Sequence, residues 1–82
     1  MDFILTGHAR KRMSERNIPE HLIAAALRNP TKRLYDSNGR LLIKRLYRKN
    51  GKDRLLLIAG EMEKNILRII TVIDTSKVKK YL

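Results

Sequence analysis

Hydrophobic positions change their period once along this chain, and the change divides it in two. From Thr6 to Asn29 apolar residues recur three and four apart, whereas from Arg33 onward they alternate or run together in short blocks. The first spacing belongs to helices and the second to strands. Thr6 is a good N-cap residue, and a helix over Gly7–Arg16 follows it. Ala9 and Met13 share one face of that helix. His8, Arg12 and Arg16 form an i, i+4, i+8 row beside the face, and Lys11 and Glu15 lie on its other flank. Asn17 suits a left-handed C-cap. Ile18-Pro19 opens a second helix, with Pro19 in its first turn. Leu22, Ile23, Ala26 and Leu27 form its apolar stripe, and Ala24-Ala25-Ala26 favours the helical backbone. Asn29-Pro30 ends it, because a residue before proline avoids the α region.

Four strands are predicted after that, over Arg33–Asp36, Leu41–Lys49, Arg54–Gly60 and Ile66–Ile73. Ser37-Asn38-Gly39 supplies the first turn, Asn50-Gly51 a tight hairpin, and Met62 to Asn65 the third turn. The third strand is almost continuously apolar, which places it centrally in a sheet. Thr75 to Leu82 suits either a short basic helix or a closing strand. The order α-α-β-β-β-β with short connections predicts one α+β domain over 1–82. In it, two N-terminal helices pack on one face of a four-stranded antiparallel sheet and the other face stays open. On the second strand, Leu42, Lys44, Leu46 and Arg48 share a face, opposed by Leu41, Ile43, Arg45 and Tyr47. On the fourth, Leu67, Ile69, Thr71 and Ile73 oppose Ile66, Arg68, Ile70 and Val72. Which set faces the helices is open at this point, since a shift of one residue reverses the assignment.

Composition narrows the function classes. At 82 residues the chain suits one domain with a thin core, so a partner or a homo-oligomer is a reasonable expectation. It has no Cys, which excludes a disulfide scaffold, a Cys-ligated zinc and a cysteine nucleophile. No apolar run is long enough to span a bilayer. Met1-Asp2-Phe3-Ile4-Leu5 is too short and too acidic at its start for a leader, so the expectation is a soluble cytoplasmic protein without membrane contact. No phosphate-binding glycine loop, dinucleotide fingerprint or metal-ligand spacing is present, and neither a metal nor a cofactor is expected.

Charge changes the picture most. Lys and Arg number 19 against 8 Asp and Glu, a net charge of +11 spread along the whole chain. Thermophilic enrichment of Lys normally brings Glu with it, and acids are scarce here. A folded domain that is basic throughout points to a polyanion, RNA foremost. The densest basic stretch is His8-Ala9-Arg10-Lys11-Arg12-Met13, with Arg16 one turn on. Histidine moves protons near neutral pH, and arginine grips phosphate bidentately. RNA carries its own 2′-hydroxyl nucleophile, so a metal-free ribonuclease needs only a base, an acid and cationic stabilisation. An exposed first-turn histidine with no such role fits the same pattern. Lys11, Lys44, Arg45, Arg48 and Arg68 are further nucleic-acid-binding candidates, the strand residues lining a phosphate groove across the open face with Thr71. Tyr35, Tyr47 and Tyr81 are candidates for stacking on bases.

The segment Leu5-Thr6-Gly7-His8-Ala9-Arg10-Lys11-Arg12-Met13-Ser14-Glu15-Arg16-Asn17-Ile18-Pro19 resembles the opening of a family of small prokaryotic domains, the domain-of-unknown-function family forty-two fifty-eight. Ile70-Thr71-Val72-Ile73 is similar to that family's last strand. The layout in turn resembles RelE-like toxins, within a wider barnase, EndoU, colicin and RelE grouping of metal-independent ribonucleases. The resemblance implies two helices on an antiparallel sheet and a toxin-type endoribonuclease role. His8, Arg12, Arg16 and Thr71 stand at the matching positions and are the implied catalytic set. RNA, including ribosome-bound mRNA, is the implied substrate and an acidic antitoxin-like protein the implied partner. The alternatives are a non-catalytic nucleic-acid-binding module and an interaction protein whose basic face docks such a partner.

Overall fold

The computed structural model describes residues 1–82 and has α+β architecture. The chain runs β1 (Asp2–Leu5), α1 (Gly7–Arg16), α2 (Glu20–Arg28), β2 (Lys32–Tyr35), β3 (Leu41–Lys49), β4 (Lys52–Glu63), β5 (Ile66–Thr75) and α3 (Val78–Tyr81). The five strands form one mixed sheet in the order β1-β5-β4-β3-β2. The four predicted strands are the antiparallel meander β2 to β5, with the apolar β4 at its centre.

The prediction of a four-stranded, wholly antiparallel sheet is corrected by β1, which pairs in parallel with β5, Phe3 opposite Leu67 and Leu5 opposite Ile69. Phe3 and Leu5 pack against the core while Ile4 is exposed. A four-residue run is too short to show an alternation, and its partner lies at the far end of the chain. The carboxy-terminal segment forms a helix, α3, rather than a closing strand.

Local chemistry sets the element ends. Thr6 caps α1, its Oγ1 accepting the N–H of Ala9 at 3.2 Å. Asn17 closes the helix with φ 55°, the left-handed conformation Asn tolerates. Asn50 and Gly51 both have positive φ, as the two-residue hairpin between β3 and β4 requires. Asp36 Oδ1 accepts the N–H groups of Asn38 and Arg40, which fixes the turn into β3.

Both long helices cover one face of the sheet, α1 against β5 and α2 against β3. Ala9, Met13, Ile23, Ala26 and Leu27 meet a sheet surface of Leu41, Ile43, Leu56, Ile58, Leu67, Ile69 and Val72, all buried. Residues directly opposite one another share a face. The rows Leu41–Gly60–Ile69, Ile43–Ile58–Val72, Arg45–Leu56–Asp74 and Tyr47–Arg54 therefore lie on the helix side. The rows Leu42–Ala59–Thr71, Lys44–Leu57–Ile73 and Leu46–Leu55–Thr75 lie on the other. On β3 it is the odd-numbered set that faces the helices.

Strict alternation fails on β5. Ala59 stands opposite Thr71 but Gly60 stands opposite Ile69, so Ile70 is an extra, unpaired residue. The bulge reverses the sides beyond it. Val72 and Asp74 join Leu67 and Ile69 on the helix side, and Thr71 and Ile73 turn outward. A Cβ on Gly60 would lie 2.6 Å from the Arg68 carbonyl oxygen, so the strands close up here only around glycine.

The second face is open only in part. Lys44 Nζ donates to the Tyr81 carbonyl at 2.6 Å and Lys32 Nζ to that of Leu82 at 2.7 Å, which holds α3 over the sheet. No helix is long and apolar enough to cross a membrane.

Candidate anion-binding site

The residues singled out in the sequence do not assemble into one site. His8, Lys11, Arg12 and Arg16 are all exposed on α1. His8 and Arg16 are two turns apart, about 12 Å along the helix axis. Thr71 lies on the opposite face of the sheet, beyond the reach of the helix row. The expected groove across the open face is also dispersed. Lys44 and Arg45 are neighbours on a strand and point to opposite sides. Arg45 Nη1 donates to the Asn29 carbonyl at 2.6 Å, on the helix side. Arg48 pairs with Asp53 at 3.3 Å and bonds the Gly51 carbonyl, and Arg68 faces Glu63 at 3.8 Å. Lys44 and Arg68 lie two strand spacings apart across β4 and are further offset along it, Lys44 opposite Leu57 and Arg68 opposite Glu61.

A different cation cluster forms where the C-terminal end of α1 meets the β3–β4 hairpin. Seven residues separate Ala9 from Arg16, so Arg16 falls about 20° from Ala9 around the helix. It therefore overhangs the sheet-facing side, just past the end of the buried stripe. Lys49 and Lys52 flank the Asn50-Gly51 turn opposite each other. Arg54 follows on the helix side of β4. These four cations, with Asn50 and Asp74, line an open depression of about 390 Å³ that has no hydrophobic wall. Arg16, Lys49 and Lys52 have no carboxylate partner and no side-chain hydrogen bond.

A hydrogen-bonded triad holds the floor of the depression. Arg54 Nε donates to both oxygens of Asp74, each at 3.0 Å, and Tyr47 Oη donates to Oδ1 at 2.7 Å. The Asp74 side chain is only 7% exposed, and both of its oxygens are hydrogen-bonded, to Arg54 and Tyr47. Burial, then the hydrogen bond to Asp74 and its charge, push the Tyr47 phenol up to about 12 against the opposing effect of Arg54. The phenol is protonated throughout the neutral range and remains a donor. The hydrogen bond to Asp74 likewise raises the Arg54 guanidinium, so it stays cationic.

Chemically, the arrangement has the complement of charge that suits an anion. One carboxylate orients an arginine edge-on, and three unpaired cations surround it with partial exposure to solvent. Of the depression's residues the sequence pointed to Arg16 alone for this chemistry. Asp74 falls just past the predicted last strand, which stops at Ile73, but β5 extends through Thr75 and the Ile70 bulge turns it to the helix side. Lys49 and Lys52 carried one legible signal, their position on either side of a tight Asn-Gly hairpin.

No curated protein and no solved structure matches the chain. A family model does match, over residues 5–74, a span that contains the α1 motif, the meander up to its last residue, and Asp74. The chain therefore belongs to the family described as Domain of unknown function (DUF4258).

Proposed function

We propose that this protein binds the sugar–phosphate backbone of single-stranded RNA, with one phosphate or a short run of them at the Arg16–Lys49–Lys52–Arg54 seat. The carrying observation is the convergence of these four cations on a depression without apolar lining. The net charge of +11 supports the same reading, since it draws a polyanion from any direction before the seat fixes it. The test is anisotropy of a labelled single-stranded RNA between about 50 and 200 mM salt. The logarithm of the binding constant should fall linearly with the logarithm of salt, with a slope of about −0.7 per phosphate contacted. A flat response would overturn the reading.

A second reading, a metal-independent endoribonuclease of RelE-like toxin type, is favoured by one observation. His8 and Arg12 are both exposed on one side of α1, and neither makes an ion pair or a side-chain hydrogen bond. It expects RNA cleavage in EDTA, leaving 2′,3′-cyclic phosphate ends, that His8→Ala abolishes. Equal cleavage by wild type and His8→Ala would remove His8 from the chemistry, and no cleavage by either on free and ribosome-bound RNA would leave binding as the function.

A further inference from the structure

The seat is continuous with an apolar cavity on the other face of the sheet. That cavity, of about 250 Å³, is walled by Leu42, Leu57, Ala59, Thr71, Ile73 and Tyr81 between the sheet and α3. A second depression joins the two. It is lined by Arg16 and Asp74, which also line the seat, and by Leu57, Ile73 and Tyr81, which also line the cavity. Thr75 and Lys77 complete it. The path crosses the margin of β5 beyond Leu5, where β1 has ended. Strand β1 pairs only with residues 66–69, so residues 70–75 have no strand neighbour on that side. Adjoining depressions thus lead from four cations, past a strand edge, to a half-open, mainly apolar cavity with a tyrosine in its wall.

We propose that the cavity takes one unstacked base of the same strand whose phosphate occupies the seat. The proposal rests on the backbone-binding reading and names the part of the ligand that lies beyond the phosphate. A nucleic acid joins a charged group and a flat apolar-faced group within one repeating unit, and the depressions present complements to both in the same order. Single-strand binders combine a basic groove with aromatic platforms in this way. Tyr81 supplies the aromatic surface. The Thr71 hydroxyl makes no hydrogen bond within the protein and offers a donor or an acceptor to a base edge. The Lys44 ammonium, held on the Tyr81 carbonyl, anchors the helix that carries the ring.

The test compares a short single-stranded RNA carrying 2-aminopurine at one position with the same strand made abasic there, which keeps every phosphate. The wild-type protein should bind the base-bearing strand about tenfold more tightly, and the fluorescence of 2-aminopurine should rise as it leaves its neighbours. Tyr81→Ala and Ile73→Gln should lower affinity for the base-bearing strand to the abasic level. Thr71→Val, which keeps shape and removes the hydroxyl, should narrow the difference among the four bases and serves if the larger changes disturb folding. Equal affinity of wild type for the two strands, with a steep salt dependence retained, would overturn the base site and leave the backbone reading standing. Loss of the salt dependence itself would remove both.

Discussion

The Thr6 hydroxyl donates to the carbonyl of Ile70 at 3.3 Å, across 64 residues of sequence, while the same oxygen accepts the N–H of Ala9. One atom therefore caps α1 and ties it to the bulged residue of β5. The helix start and the strand irregularity are joined through a single side chain. Thr6→Ala should destabilise the fold by about 1–2 kcal/mol, read as a lower denaturant midpoint. Thr6→Ser keeps the oxygen and should recover most of the loss. Equal stability of all three proteins would show that the cap and the bulge stand without this bond.

Gly60 is the most closely approached of the four glycines. Its missing Cβ would meet the backbone oxygen of Arg68 at 2.6 Å and the Leu67 side chain at 2.9 Å. Gly60→Ala should cost about 1–3 kcal/mol, since a backbone atom cannot turn aside as a side chain can. Gly7→Ala is the contrast, with nothing within 4 Å of its added carbon. The thermal midpoints of the two variants should separate clearly.

Tyr47 gives the seat a spectroscopic signature. Its folded value is raised from 10.0 to about 12, so the stability it contributes is fully present below the unfolded value and is lost as pH rises through the folded one. An alkaline titration followed by tyrosinate absorbance should contain a step near 12, absent from Tyr47→Phe. Asp74→Asn removes both a charge and an anionic acceptor, and should move that step to lower pH. A Tyr47 step at the same pH with and without Asp74 would contradict the hydrogen-bonded pair.

The salt dependence should locate the seat. Arg16→Gln and Lys52→Gln each remove a cation with no internal partner, and each should reduce the slope by about 0.7 if it contacts a phosphate. Arg68→Gln changes the formal charge equally, but Arg68 faces Glu63 on the other side of the sheet and should leave the slope nearly unchanged. Three equal reductions would mean that total charge, not the seat, governs binding.

The parts legible in the sequence are those encoded within a few residues. Thr6, Asn17 and Asn50-Gly51 each carry their own backbone instruction, and α1 begins and ends where they require. The continuous apolar run in β4 announces a central strand for the same local reason. Strand β1 was not legible because its reason for being a strand lies at Ile66–Ile69, far along the chain. Asp74 was hidden by Ile70, since a bulge shifts every later residue to the opposite face and leaves no mark in the alternation before it. The seat draws on α1, β3, β4 and β5, and only the packing angle of Arg16 brings the four together.

The parallel pair of β1 and β5 bears on how the molecule assembles. Hairpins β3–β4 and β4–β5 close short loops, whereas β1 must find a strand that begins 64 residues after it, at a far greater loss of chain freedom. The meander is therefore expected to form first, with β1 and α1 docking upon it afterward. Native-state hydrogen exchange should divide along that line, with β1 and α1 opening together at lower free energy than β4. Arg16 travels with the late unit while Lys49, Lys52 and Arg54 belong to the early one. A ligand bridging them would hold the two units together, so the same exchange experiment with RNA present should slow α1 far more than β4.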